Sequence, residues 1–188
     1  MLVGEKVTRR ERLVYALLAR RISVIFQPKA WVHEAVSLTW LEQFQAETKA
    51  LGDRLLGFDG HGAQITQAFR ALLDEYDIDS IVTPAYCTDV VSPVDHNIGA
   101  RLKEIMSSYY HAALAANRDN WCNPPSQGGL QAWERRVFLA VWLARAWQQM
   151  QADNPTMFRA AFVHTGFLLA ADGSEKHLID IGVYDYNY

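Results

Sequence analysis

Apolar residues recur along this chain with two periods, and the alternation between them sketches an α/β protein. Leu13, Leu17 and Leu18, behind Thr8 as an N-cap, predict a helix over 8–21. The β-branched run from Ile22 to Phe26 reads as a short strand, stopped by Pro28. Val32, Val36, Trp40 and Phe44 fall four apart, which predicts a helix to about Ala50 with Gly52 as its stop and both aromatic rings in the core, a base-stacking platform being the alternative. Leu55 to Phe58 is the next strand, and Gly60 and Gly62 are expected to turn the backbone sharply after it. Ile65, Phe69, Leu72, Leu73 and Tyr76 form the inner stripe of a helix, and Ile78 to Pro84 supplies a third strand. Strand, helix, strand, helix, strand at these lengths predicts a short parallel sheet with flanking helices and right-handed crossovers.

The second half is helical. One long helix is expected from Asp95 to about Trp121, with Ile98, Leu102, Ile105 and Tyr109 inward. Pro124, Pro125 and the glycines that follow them break it. This break divides the chain into an α/β portion, residues 1–122, and a helical C-terminal extension, residues 123–188. In the extension, Leu130, Trp133, Val137, Val141, Ala144 and Trp147 mark an amphipathic helix, and Pro155 opens another. The apolar stripe is expected to pack on the α/β portion, a partner-binding helix being the alternative. The end beyond Asp172 is expected to be loose.

Chemistry enters through two acids. The Leu55–Phe58 run ends in Asp59, and Asp95 follows Ser92-Pro93-Val94 at the head of the long helix. Ligands of open parallel sheets collect beyond the carboxyl ends of the strands, where Asp59 lies. Thirty-six residues separate the two acids, enough for a helix, a strand and a loop to bring the chain back. The pair is therefore a candidate divalent-metal clamp, the plain alternatives being a turn-capping Asp and an N-cap Asp. His61 and His96 flank the acids and either orient a carboxylate, contact phosphate or lie on the surface. Asp89 is a loop-capping residue first and a site acid second. Cys87 has no specific base to make it a nucleophile.

Composition narrows the picture. Half of the 188 residues are apolar, which suits one domain with a sizeable core. The net charge of −3 leaves any nucleic-acid contact to a local patch, and Arg9, Arg10, Arg12, Arg20 and Arg21 form the most basic cluster. That cluster is either a solvated helix face or a phosphate-contacting patch. Two cysteines, Cys87 and Cys122, make no disulfide framework and favour a reducing, intracellular setting. No apolar run approaches the roughly 18 residues of a membrane span, so a soluble protein is expected.

The stretch "LLGFDGHGAQIT…YDIDSIVTPAYCTDVVSPVDHNIGARLK" carries a more specific signal. An apolar strand ends in Asp-x-His, a second strand leads to a proline and a Cys-Thr turn, and Pro-x-Asp heads a long helix. Gln27-Pro28-Lys29-Ala30-Trp31, then Trp40-Leu41-Glu42-Gln43-Phe44, precede it, and Phe162-Val163-His164-Thr165-Gly166-Phe167 follows. Together these blocks resemble the DDE superfamily endonuclease domain of pogo- and jerky-like transposases, from about Ile22 to about Leu169. The resemblance implies an RNase H-like α/β fold, partial here, and metal-dependent hydrolysis or strand transfer on DNA with Mg²⁺ or Mn²⁺. It implies that Asp59 and Asp95 are the second and third catalytic acids and metal ligands, with His61, His96 and Asp89 as site neighbours. Arg9, Arg10, Arg12 and Lys29 are the candidate DNA contacts, and a eukaryotic version would work in the nucleus.

The family's first acid lies on an early strand, well upstream of its Gln-Pro-Lys segment. Only 26 residues precede Gln27 here and none is Asp, while Glu5, Glu11 and Glu34 sit in loop or helix patterns. The chain is therefore expected to be the C-terminal part of a catalytic domain. It would need a second chain or an upstream segment to supply the missing acid. The alternative is a non-catalytic nucleic-acid-binding or scaffold protein derived from a transposase.

Overall fold

The computed structural model describes residues 2–3, 7–18, 22–27, 31–84 and 86–180. In chain order the elements are β1 (Leu2–Val3), α1 (Arg9–Leu18), β2 (Phe26–Gln27), α2 (Glu34–Thr48), β3 (Leu55–Phe58), α3 (Gln67–Glu75), β4 (Asp79–Val82) and α4 (Thr88–Val91). A π-helix (Val94–Ile98) then runs into α5 (Gly99–Ala116), followed by α6 (Arg118–Cys122), α7 (Ala132–Asp153) and α8 (Met157–His164). Helix dominates, and the sheet is short and parallel. The chain forms two compact units, each built from separated segments: residues 1–30 with 98–157, and residues 31–97 with 158–188.

The first unit packs α1, α5 and α6 with α7 and carries a two-residue parallel ladder, in which Leu2 and Val3 of β1 lie opposite Phe26 and Gln27 of β2. The predicted strand at Ile22–Phe26 is thus reduced to its last residue and Gln27. It pairs with the N-terminus instead of joining the Leu55–Phe58 strand, so a single three-stranded sheet does not form. Helix α1 opens with a reciprocal cap: the Thr8 hydroxyl accepts from Glu11 N–H at 3.1 Å, and the Glu11 carboxylate accepts from Thr8 N–H at 2.8 Å. Glu11 is fully buried, and its other oxygen accepts from Arg136 of α7 at 2.7–2.8 Å.

That ion pair selects which face of α1 turns inward. Leu18 packs on Ala140 and Ala144 of α7 with Val14, Tyr15, Ile22 and Val141 around them, whereas Leu13 and Leu17 are exposed. The predicted stripe is therefore rotated, because a periodic count of leucines does not register a buried glutamate. The small Ala140 and Ala144 let the α1 and α7 backbones approach closely. A second side of α7 carries Trp142, which stacks on Trp121 at 5.2 Å and meets Phe138 and Tyr110. The predicted long helix breaks at Asn117, whose side chain accepts from Asn120 N–H and starts α6. Ile98 and Ile105 are buried as expected.

The second unit holds the β3–β4 pair, in register from Leu55 opposite Asp79 to Phe58 opposite Val82. Its core is Leu41, Phe69, Leu73 and Ile78, with Leu38, Phe44, Leu56, Phe58, Leu72 and Tyr76 packed around them. The Thr66 hydroxyl caps α3 by accepting from Phe69 N–H at 3.2 Å. Arg54 ties α2 to the turn before β4, donating to the Gln45 side chain and to the Tyr76 carbonyl. Ser37 is buried as well, and Leu38, Leu41 and Phe44 of α2 face this core. Trp40, expected in the core, is 38% exposed, and Val32 and Ile65 are exposed as well.

Leu55, Ile81 and Val82 are also exposed, so this small sheet is not covered on all sides. Gly60 and Gly62 do not adopt the left-handed backbone that the sharp turn would have required; Gly52 does, at φ +84°. Helix α8 begins two residues after Pro155, at Met157, and ends in a turn where Gly166 has φ +88°. Beyond α8 the chain makes local bonds: Ser174 to Asp172, Ala170 N–H to Glu175, and Asp180 N–H to the His164 carbonyl at 3.0 Å. The terminal residues 181–188 lie outside the described residues.

Candidate active site

Parallel pairing brings the carboxyl ends of β3 and β4 to the same edge. The ladder continues one bond beyond the strands, from Thr83 N–H to the Phe58 carbonyl at 2.9 Å, with the Thr83 hydroxyl on the same oxygen at 3.3 Å. Asp59 follows Phe58 directly and is exposed. Its Oδ1 accepts from His61 N–H at 3.4 Å, a long contact that leaves most of the carboxylate's acceptor capacity open. The loop after β4 then makes the one turn of α4 and reaches Ser92-Pro93, where the π-helix starts. Asp95 sits in its first turn, exposed, its N–H donating to Ser92 Oγ at 3.3 Å. Single π turns are rare and recur at functional sites, and nothing in the hydrophobic spacing signals this one.

Asp59 and Asp95 line one cavity of about 340 Å³ within this unit. Its polar lining includes Gln64, Thr83, Thr88 and Ser92. Its apolar lining includes Trp40, Phe58, Phe162 and Phe167. The Phe167 ring, T-shaped to Phe162 at 6.0 Å, lies against Gly57; a Cβ at residue 57 would fall inside contact distance of that ring. The turn that closes α8 and the glycine of β3 therefore depend on one another, two residues before Asp59.

The remaining predicted residues are dispersed. His61 is exposed and stands outside the cavity lining, its Nδ1 accepting from Ala63 N–H at 3.3 Å. Asp89 lies in α4 and His96 in the π-helix, but their side chains are outside what the structure describes. Arg9, Arg10 and Arg12 are exposed on α1, in the other unit, and Lys29 is outside the described residues. Cys87 and Cys122 are free thiols. Glu11, one of the three glutamates in loop or helix patterns, is consumed by its cap and by Arg136. Periodicity did not point to Thr83, Thr88, Ser92 or Gln64. The signal available for Thr83 was its place one residue beyond the second strand, which parallel register puts beside the residue before Asp59.

The donor set suits a hard cation: two carboxylates and three hydroxyls supply oxygen ligands of the kind Mg²⁺ and Mn²⁺ select. Among the described residues no group of three His, Cys, Asp or Glu side chains could hold a metal together. Nor is any helix among them long and apolar enough to cross a membrane.

A mixed, helix-rich fold with a parallel strand pair and two acids at one cavity is the setting in which the family comparison becomes informative. The family model for the DDE superfamily endonuclease matches residues 20–162, well over half of the 188-residue chain. The chain belongs to that family. No curated protein and no solved structure matches it.

Proposed function

We propose that this protein acts on DNA as an RNase H-like DDE domain of the pogo/jerky type, through metal-dependent phosphodiester hydrolysis or strand transfer. The observation that carries the reading is the shared cavity of Asp59 and Asp95. These two carboxylates would hold Mg²⁺ or Mn²⁺, with Thr83, Thr88 and Ser92 as neighbouring oxygen donors. When bound, the metal supplies Lewis-acid stabilisation of the phosphoryl oxygens and an activated water or hydroxyl. The residues themselves would orient the phosphate: the Thr88 and Ser92 hydroxyls would donate to its oxygens, and the aromatic lining would exclude bulk water from that side. Arg9, Arg10, Arg12 and Lys29 would contribute sequence-independent backbone attraction. The family's first acid would come from a second chain or an upstream segment, and in a eukaryote the working compartment would be the nucleus.

Calorimetric titration with Mn²⁺ tests the reading. Wild type should bind, and Asp59→Ala and Asp95→Ala should each lose the heat of binding. Indistinguishable titrations of all three proteins would sink it. A second reading, a non-catalytic nucleic-acid-binding or scaffold protein, draws support from the lack of a third ligand among the described residues. Incubation of plasmid DNA with Mg²⁺ separates the two, because Asp59-dependent nicking eliminates the scaffold.

A further inference from the structure

Trp40 departs from its pattern on α2, which places it in the core. It is 38% exposed, while the adjacent Leu41 is fully buried. Its indole is held flat against Phe44, with ring centroids 5.5 Å apart and planes 23° from parallel. It also lines the cavity that contains Asp59 and Asp95. A partly exposed aromatic ring, stacked on a second ring and lining a cavity with oxygen donors, is an arrangement on which a planar heterocycle can stack.

We propose that Trp40 is the stacking platform for a single unpaired nucleobase of the DNA strand engaged at the Asp59–Asp95 cavity. The inference rests on the DNA-processing reading of that cavity and adds the form in which the strand is held. Paired bases keep both faces inside the duplex stack, so only an extruded or single-stranded base can reach the indole. A cavity of about 340 Å³ suits one small planar group rather than a length of double helix. Gln64, half-buried in the same lining, offers both an amide donor and an acceptor for a base edge. The phosphate attached to such a base would then lie toward the carboxylates, where the oxygen donors are.

The test uses a single-stranded DNA oligonucleotide with 2-aminopurine at its centre, titrated in Ca²⁺ so that no cleavage intervenes. Wild type and Trp40→Phe should quench the 2-aminopurine fluorescence on binding. Trp40→Leu should bind about tenfold or more weakly, with no quenching. An abasic residue at the central position should weaken binding to wild type by a similar factor, an arm that needs no variant to fold. Equal affinity and equal fluorescence for wild type and Trp40→Leu would overturn the proposal, as would an abasic oligonucleotide that binds wild type undiminished. The manganese titration of wild type against Asp59→Ala is independent of these readouts. A positive titration with no 2-aminopurine response rejects stacking alone, and a negative one rejects the nuclease reading beneath it.

Discussion

Glu11 and the pair Asp59 and Asp95 show two fates of a carboxylate in one molecule. In the α1–α7 unit Glu11 has no exposed surface, caps its own helix and meets Arg136. In the β3–β4 unit Asp59 and Asp95 are exposed at a cavity; the Asp59 carboxylate accepts from the His61 N–H, and the Asp95 N–H donates to Ser92 Oγ. Burial raises the Glu11 carboxyl's pKa, but the Thr8 N–H, the Arg136 guanidinium and the Thr8 hydroxyl outweigh it and leave it lowered. The difference separates an acid spent on folding from acids left available to a ligand.

The largest expected effect tests the folding side. Glu11→Gln leaves Arg136 facing a neutral group in a mostly buried site and should cost about 3–5 kcal/mol in urea denaturation. The same residue sets a pH dependence. Because its folded pKa lies below the unfolded value of roughly 4.3, its contribution is full above that value and is lost as pH falls through the folded pKa. Wild type should therefore lose stability on acidification below about pH 4.3, and Glu11→Gln should lose less over the same interval.

On the other side, Gly57→Ala drives a methyl group into the Phe167 ring. It should destabilise by about 1–3 kcal/mol, and less in a Phe167→Leu background, a non-additivity that a double-mutant cycle would read. Thr66→Ala removes the α3 cap and should cost about 1 kcal/mol by the same denaturation measurement. The smallest effect is the most informative one. Asp59→Asn should change stability by no more than about 0.5 kcal/mol while removing manganese binding. A large stability loss there would place Asp59 in Glu11's category.

The parts of the fold legible in the sequence were those where one local rule acts alone. Leu55–Phe58 is a strand by its apolar run, and Phe69 and Leu73 are inward by helical period. The reading failed where a polar residue decides the face. On α1 Glu11 is buried while Leu13 and Leu17 face outward, and on α2 Ser37 is buried while Trp40 lines the cavity. It failed again at β2, because strand partnership is a long-range property that local patterning does not encode. At the site, Asp59 and Asp95 stood out by their flanks. The hydroxyls of Thr83 and Ser92 did not, since their nearness depends on register and on a π turn.

The apolar surface on β3 and β4 has a practical consequence. A two-strand ladder whose Leu55, Ile81 and Val82 face solvent offers backbone donors and acceptors beside greasy side chains, which is the chemistry of a template for another strand. Purified at high concentration, the chain should self-associate through that edge. A lysine at residue 81 should keep it dispersed, so colloidal behaviour becomes a property to engineer before any assay of the cavity is attempted.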